Sequence, residues 1–161
     1  MSLTLAGALA LAPLSDAFAK TKSKSRSRAA PSIAAAIVVD MTTNEILYSK
    51  AEDAKRAPAS LTKMMTLYVL FSYLRAGKIT LESELVVTPH AASQSPTKLG
   101  LKPGATIATS DAIKALVTQS ANDAAVTVAE NIAGTQEHFA RLMTQQARCI
   151  GMRDRLFRNA Y

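Results

Sequence analysis

The chain has one cysteine, two histidines and no tryptophan among its 161 residues. A single cysteine excludes a disulfide within the chain. Two histidines and one thiol are a poor set of metal ligands, so no metal site is expected. Cys149 follows Leu142 by seven residues in a stretch with helical periodicity, which predicts a buried thiol rather than a reactive one.

Acidic residues are also few, 12 against 19 basic ones, which gives a net charge of +7. Five of the positive charges lie between residues 20 and 28, at Lys20, Lys22, Lys24, Arg26 and Arg28. The rest of the chain carries only about +2, which argues against a nucleic-acid-binding surface. With 48% hydrophobic residues, the chain is of a size and composition typical of one globular domain.

The apolar run at the start, Leu3–Leu14, is too short to be a stable membrane anchor. It ends in Ala17-Phe18-Ala19, which is typical of a signal-peptide cleavage site. We therefore predict a signal peptide over 1–19, export to the periplasm or the outer face of the inner membrane, and a disordered basic linker over 20–30. The alternative for 1–19 is a buried helix. The alternative for the linker is a segment that is weakly attracted to an anionic membrane surface or wall polymer.

Two β-rich runs, Ile33–Asp40 and Glu45–Tyr48, flank a turn-forming segment and predict a β-hairpin. A helix is then expected from Ser60 to Ala76, with Gly77 as its C-cap. Its apolar residues surround the axis on every side, and such a helix is normally buried. We group this part, 31–76, as a sheet with the helix packed on it.

The second part, 77–161, is expected to be an all-helical subdomain apart from one short strand-like piece, Glu84–Val87. A loop-rich stretch follows, up to Gly104. Three helices are then predicted from their caps and periodicity. They begin at Thr109 or Ser110 and end at Val117, run from Asp123 to Ala133, and run from a Thr135 cap to Ile150.

Ser60 and Lys63 lie three residues apart at the start of the apolar helix and can therefore share a face. A lysine carried into apolar surroundings loses hydration, which favours its neutral form and lets it act as a general base for a serine nucleophile. The alternative is a helix cap with a lysine that extends to solvent. A second Ser-x-x-Lys, Ser95–Lys98, lies in a stretch that cannot form a long buried helix.

Ser120 and Asn122 lie in the predicted turn between two helices. Both residue types are common helix caps. In a cleft facing Ser60 and Lys63, the hydroxyl could instead relay a proton and the amide could orient a peptide carbonyl.

Around these two motifs the sequence resembles the low-molecular-weight penicillin-binding proteins that are D-alanyl-D-alanine carboxypeptidases. The similar segments are Pro58-Ala59-Ser60-Leu61-Thr62-Lys63-Met64-Met65-Thr66, Ser120-Ala121-Asn122-Asp123-Ala124-Ala125, Ala129-Glu130, Ala133-Gly134, Phe139, Gly151-Met152, Phe157 and Asn159. The resemblance covers residues 31–161 and implies a β-lactamase/transpeptidase-like α/β fold.

The resemblance also implies an acyl-enzyme mechanism, which needs no cofactor. Ser60 would be the nucleophile, Lys63 the general base, Ser120 a proton relay and Asn122 a substrate-binding residue. The implied partners are peptidoglycan pentapeptides and β-lactam antibiotics.

One family motif, a Lys-Thr-Gly on a later strand, does not occur in the sequence. We therefore expect an N-terminal fragment without the C-terminal sheet strands and membrane anchor, and weak or no turnover by the fragment itself. The alternatives are a class A-like β-lactamase using Glu130 or Glu137, a non-catalytic wall-binding relative, and a Ser-His-Asp triad using His90 or His138.

Overall fold

The computed structural model describes residues 33–57 and 59–161. The predicted signal peptide (1–19), the predicted linker (20–30) and the extended conformation expected at Pro58 lie outside these ranges. The described residues form two units that divide after Ala54, and each is described by itself below. The described part of the chain has no helix that is both long and apolar enough to cross a membrane.

The unit that ends at Ala54 contains the predicted β-hairpin. Strand β1 (Ala36–Val39) pairs antiparallel with β2 (Ile46–Lys50), with Ala36 opposite Lys50. The Asp40 carboxylate forms the turn by accepting hydrogen bonds from the N–H groups of Thr43 (2.9 Å) and Thr42 (2.7 Å). These hydrogen bonds stabilise the ionised form and lower the pKa of Asp40. The predicted hairpin is confirmed.

The unit from Lys55 to Tyr161 begins with the predicted apolar helix. A 3₁₀ turn (Ala59–Leu61) leads into helix α1 (Thr62–Arg75). Gly77 follows with a φ of 65°, a conformation that glycine adopts without steric cost and that ends many helices. The predicted bounds are correct to within two residues.

The prediction that α1 is buried on every side is wrong. One face is buried, formed by Thr62, Lys63, Met65, Thr66, Val69 and Leu70. The opposite face exposes Leu61 and Met64 by 67% each, and Tyr68 and Phe71 by 42% and 49%. Among the described residues of its own unit, the packing partners of α1 cover only the first face.

A two-stranded ladder lies inside the part expected to be all-helical. Strand β3 (Glu84–Val86) pairs antiparallel with β4 (Thr106–Ala108), with Leu85 opposite Ile107. β3 matches the predicted strand-like piece, which has Leu85 and Val86, but β4 was missed because Ile107 is its only large apolar side chain. The short helix α2 (Pro89–Ala92) was also missed, because four residues are too few to show helical periodicity.

The three longer helices are α3 (Thr109–Thr118), α4 (Asn122–Ala133) and α5 (Gln136–Cys149), as predicted to within a residue or two. The Thr135 side chain caps α5 by accepting from the N–H of His138. Thr109 is not the expected cap of α3, because its hydroxyl donates to the Ser83 carbonyl and the N-cap position is Ala108.

Helix α4 is the centre of this unit, with every residue from Ala121 to Ala129 buried, and α1, α3 and α5 pack against it. Phe139 and Met143 carry the apolar face of α5 into the same core. Cys149 is exposed, so the prediction of a buried thiol is wrong. The buried face of α5 follows Phe139, Met143 and Ala147, and Cys149 lies outside that stripe.

Candidate active site

Ser60 lies in the 3₁₀ turn immediately before α1, and its side chain is exposed. The residue before it, Ala59, has a φ of 48°, a left-handed conformation that costs a non-glycine residue about 1–2 kcal/mol. Leu61, at the N-cap position of α1, makes no side-chain capping hydrogen bond. The N-terminus of α1, with its partial positive charge, therefore lies one residue beyond the Ser60 hydroxyl.

Lys63 is the second residue of α1 and is only 4% exposed. Its Nζ donates a hydrogen bond of 2.7 Å to Oδ1 of Asn122. Burial removes water from the ammonium group and lowers the pKa of Lys63. The side-chain amide of Asn122 is neutral, so it binds the amine without adding a negative charge that would keep the amine protonated.

The aromatic ring of Tyr161 lies near the same amine, with 5.8 Å between Lys63 Nζ and the ring centroid. A cation over an aromatic face gains about 0.5–2 kcal/mol, and this distance is close to the outer limit of about 6 Å. The Lys63 side chain is almost fully buried, so loss of hydration acts on the amine at close range and lowers its pKa, whereas the ring attracts it only from the edge of the cation–π range.

Asn122 begins α4 and is held by three hydrogen bonds. Its Oδ1 accepts from Lys63, its Nδ2 donates to the Ser95 carbonyl at 2.9 Å, and its own N–H donates to the Thr97 carbonyl at 2.8 Å. Each of these bonds joins segments distant in sequence. The position of the amide is therefore fixed by both α1 and the loop before Lys98.

The next residue, Asp123, holds the same loop in place. Its fully buried carboxylate accepts hydrogen bonds from the N–H groups of Leu99 (3.0 Å), Gly100 (2.9 Å) and Leu101 (3.1 Å). Together with the Ala124 N–H on the same carboxylate, these three loop donors hold the loop against the start of α4.

Ser120 lies in the predicted turn between α3 and α4, half-buried, with a left-handed φ of 54°. Strained non-glycine residues of this kind cluster at functional sites. The structure thus brings Lys63 and Asn122 into direct contact. Within residues 33–57 and 59–161, the side chains of Ser60 and Ser120 make no hydrogen bond, and their roles stay predictions.

The sequence reasoning missed Tyr161, Gln94 and the Ser95 carbonyl as neighbours of this site. Tyr161 donates its hydroxyl to Gln94 Oε1 at 2.8 Å. No local pattern could reveal this contact, because the two residues are 67 positions apart.

His90 was a candidate for the alternative Ser-His-Asp triad, and Glu130 for the alternative β-lactamase. The structure shows that their side chains bind each other. Nδ1 of His90 lies 2.7 Å from Oε1 of Glu130, and the other carboxylate oxygen accepts from the Thr88 hydroxyl. Among the described residues, no group of three or more His, Cys, Asp or Glu side chains is arranged to hold a metal ion.

Comparison with known proteins connects this geometry to one family. The model of the peptidase S11 family, described as D-alanyl-D-alanine carboxypeptidase, matches residues 21–161. The D-alanyl-D-alanine carboxypeptidase DacF of Bacillus subtilis is 33% identical over 159 residues, 99% of this chain and 41% of DacF. The chain thus spans less than half the length of this relative.

Solved structures agree with the fold. The D-alanyl-D-alanine carboxypeptidase DacD from Francisella tularensis matches with a TM-score of 0.76 and 36% identity, over 79% of this chain and 31% of that one. Penicillin-Binding Protein D2 from Listeria monocytogenes, in an ampicillin-bound form, matches with a TM-score of 0.63 and 28% identity, over 79% of this chain and 50% of that one. The expected penicillin-binding-protein fold is confirmed. Since the family model extends over most of the sequence, this chain belongs to the D-alanyl-D-alanine carboxypeptidases of peptidase family S11.

Proposed function

We propose that this chain is part of a serine-type D-alanyl-D-alanine carboxypeptidase that acts on peptidoglycan stem peptides through an acyl-enzyme on Ser60. The observation that carries the proposal is the Lys63 amine, which is 4% exposed, hydrogen-bonded to a neutral amide, and placed three residues after an exposed serine. A buried amine with a lowered pKa is suited to take a proton at neutral pH.

In the first step, the Ser60 Oγ attacks the carbonyl carbon between the two terminal D-alanines while neutral Lys63 takes the hydroxyl proton. The oxyanion develops near the N-terminus of α1, whose partial positive charge favours it. Ser120 passes a proton to the departing amine of D-alanine. Water then hydrolyses the acyl-enzyme and releases the shortened peptide.

Asn122 orients the substrate peptide in this scheme, although both ends of its amide are already engaged. A side-chain amide has two N–H donors and two acceptor lone pairs. Lys63 uses one lone pair and the Ser95 carbonyl uses one N–H. One donor and one acceptor therefore remain for a peptide backbone.

We further propose that β-lactams acylate Ser60, as suits a relative of a protein whose structure is known with ampicillin.

The apolar run and cleavage-site pattern in 1–19 support export, with the reaction in the periplasm or on the outer face of the inner membrane. Because the sequence has no Lys-Thr-Gly, we expect weak or no hydrolysis of D-Ala-D-Ala peptides by residues 20–161 alone. Measurable turnover by that purified segment would contradict this last expectation.

The proposed nucleophile is tested by labelling the full-length protein with a fluorescent penicillin and identifying the modified residue by mass spectrometry. Label is expected on Ser60 and should be lost in Ser60→Ala. The matched control is Ser95→Ala, in the second Ser-x-x-Lys, which keeps the main-chain carbonyl that Asn122 uses and should label normally. Label on another serine, or none on the wild-type protein, would refute the proposal.

A further inference from the structure

The segment that ends in Ala160 and Tyr161 is fixed against the buried face of α1. The Ala160 carbonyl accepts a hydrogen bond of 2.6 Å from the hydroxyl of Thr66, and both residues are fully buried. Thr66 lies three residues after Lys63, on the same face of the helix. This anchor places the next side chain, Tyr161, beside the Lys63 amine.

The hydroxyl of Tyr161 reaches the loop on the other side of the amine. It donates to Oε1 of Gln94, and the residue after Gln94 supplies the carbonyl that accepts from Asn122. Asn122 in turn accepts from Lys63. The contacts therefore form a closed ring that runs from α1 to α4, through residues 94–95, to Tyr161, and back to α1.

We propose that Tyr161 is a positioning residue that closes this ring of contacts and shields the Lys63 amine from water, so that the amine stays neutral and available to Ser60. The proposal rests on the proposed role of Lys63 as general base. Tyr161 itself takes no proton and touches no reacting atom in this assignment. Its aromatic ring excludes solvent, and its hydroxyl holds the loop that orients Asn122.

The aromatic ring has two opposed effects on the amine. Its face attracts a cation, whereas the water it displaces would stabilise one. We expect the second effect to be the larger here, because the ring centroid lies 5.8 Å from Nζ, near the outer limit for cation–π attraction, and Lys63 is only 4% exposed. Removal of the aromatic ring should therefore raise the pKa of Lys63, whereas a purely attractive ring would lower it when removed.

Among the described residues, the ionisable groups on the helices that pack around α1 are engaged with other partners or exposed. On α4, the Asp123 carboxylate is occupied by four main-chain N–H groups, and Glu130 binds Thr88 and His90. On α3, Asp111 and Lys114 pair with each other. The charged and histidine side chains of α5 are exposed, namely Glu137, His138, Arg141 and Arg148.

The test compares Tyr161→Ala, Tyr161→Leu and Tyr161→Phe in the full-length protein. The control is Tyr68→Leu, at a tyrosine on the exposed face of α1. The pKa of Lys63 is read by NMR titration of ¹³C-labelled lysine, with its signal assigned from Lys63→Arg. The acylation rate by a fluorescent penicillin is measured across the same pH range.

Tyr161→Ala should move the Lys63 titration and the acidic limb of the acylation profile to higher pH together. At a fixed pH below that limb, the acylation rate should fall tenfold when the pKa of Lys63 rises by one. Tyr161→Phe keeps the aromatic ring and should move both curves least, and Tyr161→Leu should lie between the two because it keeps apolar bulk. Tyr68→Leu should change neither curve. If Tyr161→Ala does not fold, the comparison of the other two variants still tests the proposal, because Tyr161→Leu should move both curves further than Tyr161→Phe.

The two proposals fail in different ways. If Ser60 is acylated with an acidic limb due to Lys63, and that limb does not move in any Tyr161 variant, the shielding role is refuted and the proposed function stands. If the Lys63 titration moves to higher pH in Tyr161→Ala but Ser60 is inert in every protein, shielding stands and the proposed function fails. A movement of the titration to lower pH in Tyr161→Leu would show that attraction to the aromatic ring dominates and would overturn the inference.

Discussion

Residues 60–63 and 95–98 carry the same Ser-x-x-Lys pattern in two different surroundings. At the first, a 3₁₀ turn continues into a fourteen-residue helix, and Lys63 is 4% exposed. At the second, the chain forms an irregular loop with a cis Ser95–Pro96 bond, and both the serine and the lysine are exposed. The spacing is identical, so the helix and the burial it brings separate an amine suited to base catalysis from an ordinary surface lysine.

The two copies also contact each other through Asn122. Its side-chain Nδ2 and its main-chain N–H donate to the carbonyls of Ser95 and Thr97 within the second copy, while its Oδ1 accepts from Lys63 of the first. The second copy thus contributes main-chain acceptors that orient Asn122. A motif of this length can therefore contribute to a site through its backbone while its side chains face solvent.

The largest difference between the copies should appear when each lysine is replaced by methionine. Lys63→Met removes the proposed base and should slow acylation of Ser60 by about 10²–10⁴-fold. Lys98→Met removes an exposed side chain and should leave the rate within about twofold. Stopped-flow measurement with a chromogenic β-lactam on the full-length variants checks this, and equal losses in both would refute the distinction.

The loop of the second copy should depend on Asp123 for its structure. Asp123→Ala leaves the three main-chain N–H groups of the loop, and that of Ala124, without their acceptor and should lower the free energy of unfolding by about 3 kcal/mol. The control is Asp111→Ala, which breaks an exposed ion pair and should cost about 0.5 kcal/mol or less. Urea denaturation of both variants gives the comparison. A loss below about 1 kcal/mol in Asp123→Ala would show that the loop is held by other contacts.

Charge placed beside each copy should have unequal effects. Asn122→Asp puts a carboxylate against the buried amine, which raises the pKa of Lys63 and should slow acylation at neutral pH about tenfold or more. The loss should recover as the pH is raised. Gln119→Glu places the same charge beside the Lys98 carbonyl, which Gln119 now contacts at 3.1 Å, and should leave acylation unchanged. An equal loss at all pH values in Asn122→Asp would indicate misfolding instead.

The smallest expected effect is a pH dependence of stability. Because burial lowers the pKa of Lys63 in the folded protein, the unfolded chain binds more protons between that pKa and the ordinary lysine value of about 10.4. The free energy of unfolding, relative to Lys63→Met, should therefore rise with pH through this window, by at most about 1.4 kcal/mol per pH unit. This relative free energy of unfolding should be lowest at pH values below the pKa of Lys63 in the folded protein. Urea titrations of both proteins at several alkaline pH values measure it, with Lys98→Met as control, and a relative stability that falls with rising pH would contradict it.

Much of the local structure was predictable because its causes are local. Asp40 and the turn residues after it predict the hairpin, Gly77 and Gly134 end helices where a positive φ is required, and Thr135 caps α5 as its position suggests. The short strand β4 was not predictable, since Ile107 is its only large apolar side chain. The exposure of Cys149 was also missed, because Leu142, from which its burial was inferred, is itself only half-buried.

The sequence by itself determined the four longer helices, the hairpin and the two motifs, with Ser60 and Lys63 at the start of α1 and Ser120 and Asn122 at the junction between α3 and α4. Short-range steric and hydrogen-bonding preferences set these features. Only the tertiary structure decided which face of α1 is buried, that Lys63 donates to Asn122, and that Tyr161 lies beside the amine. These contacts join residues 59 or more positions apart, and they depend on how helices pack rather than on what any one segment prefers.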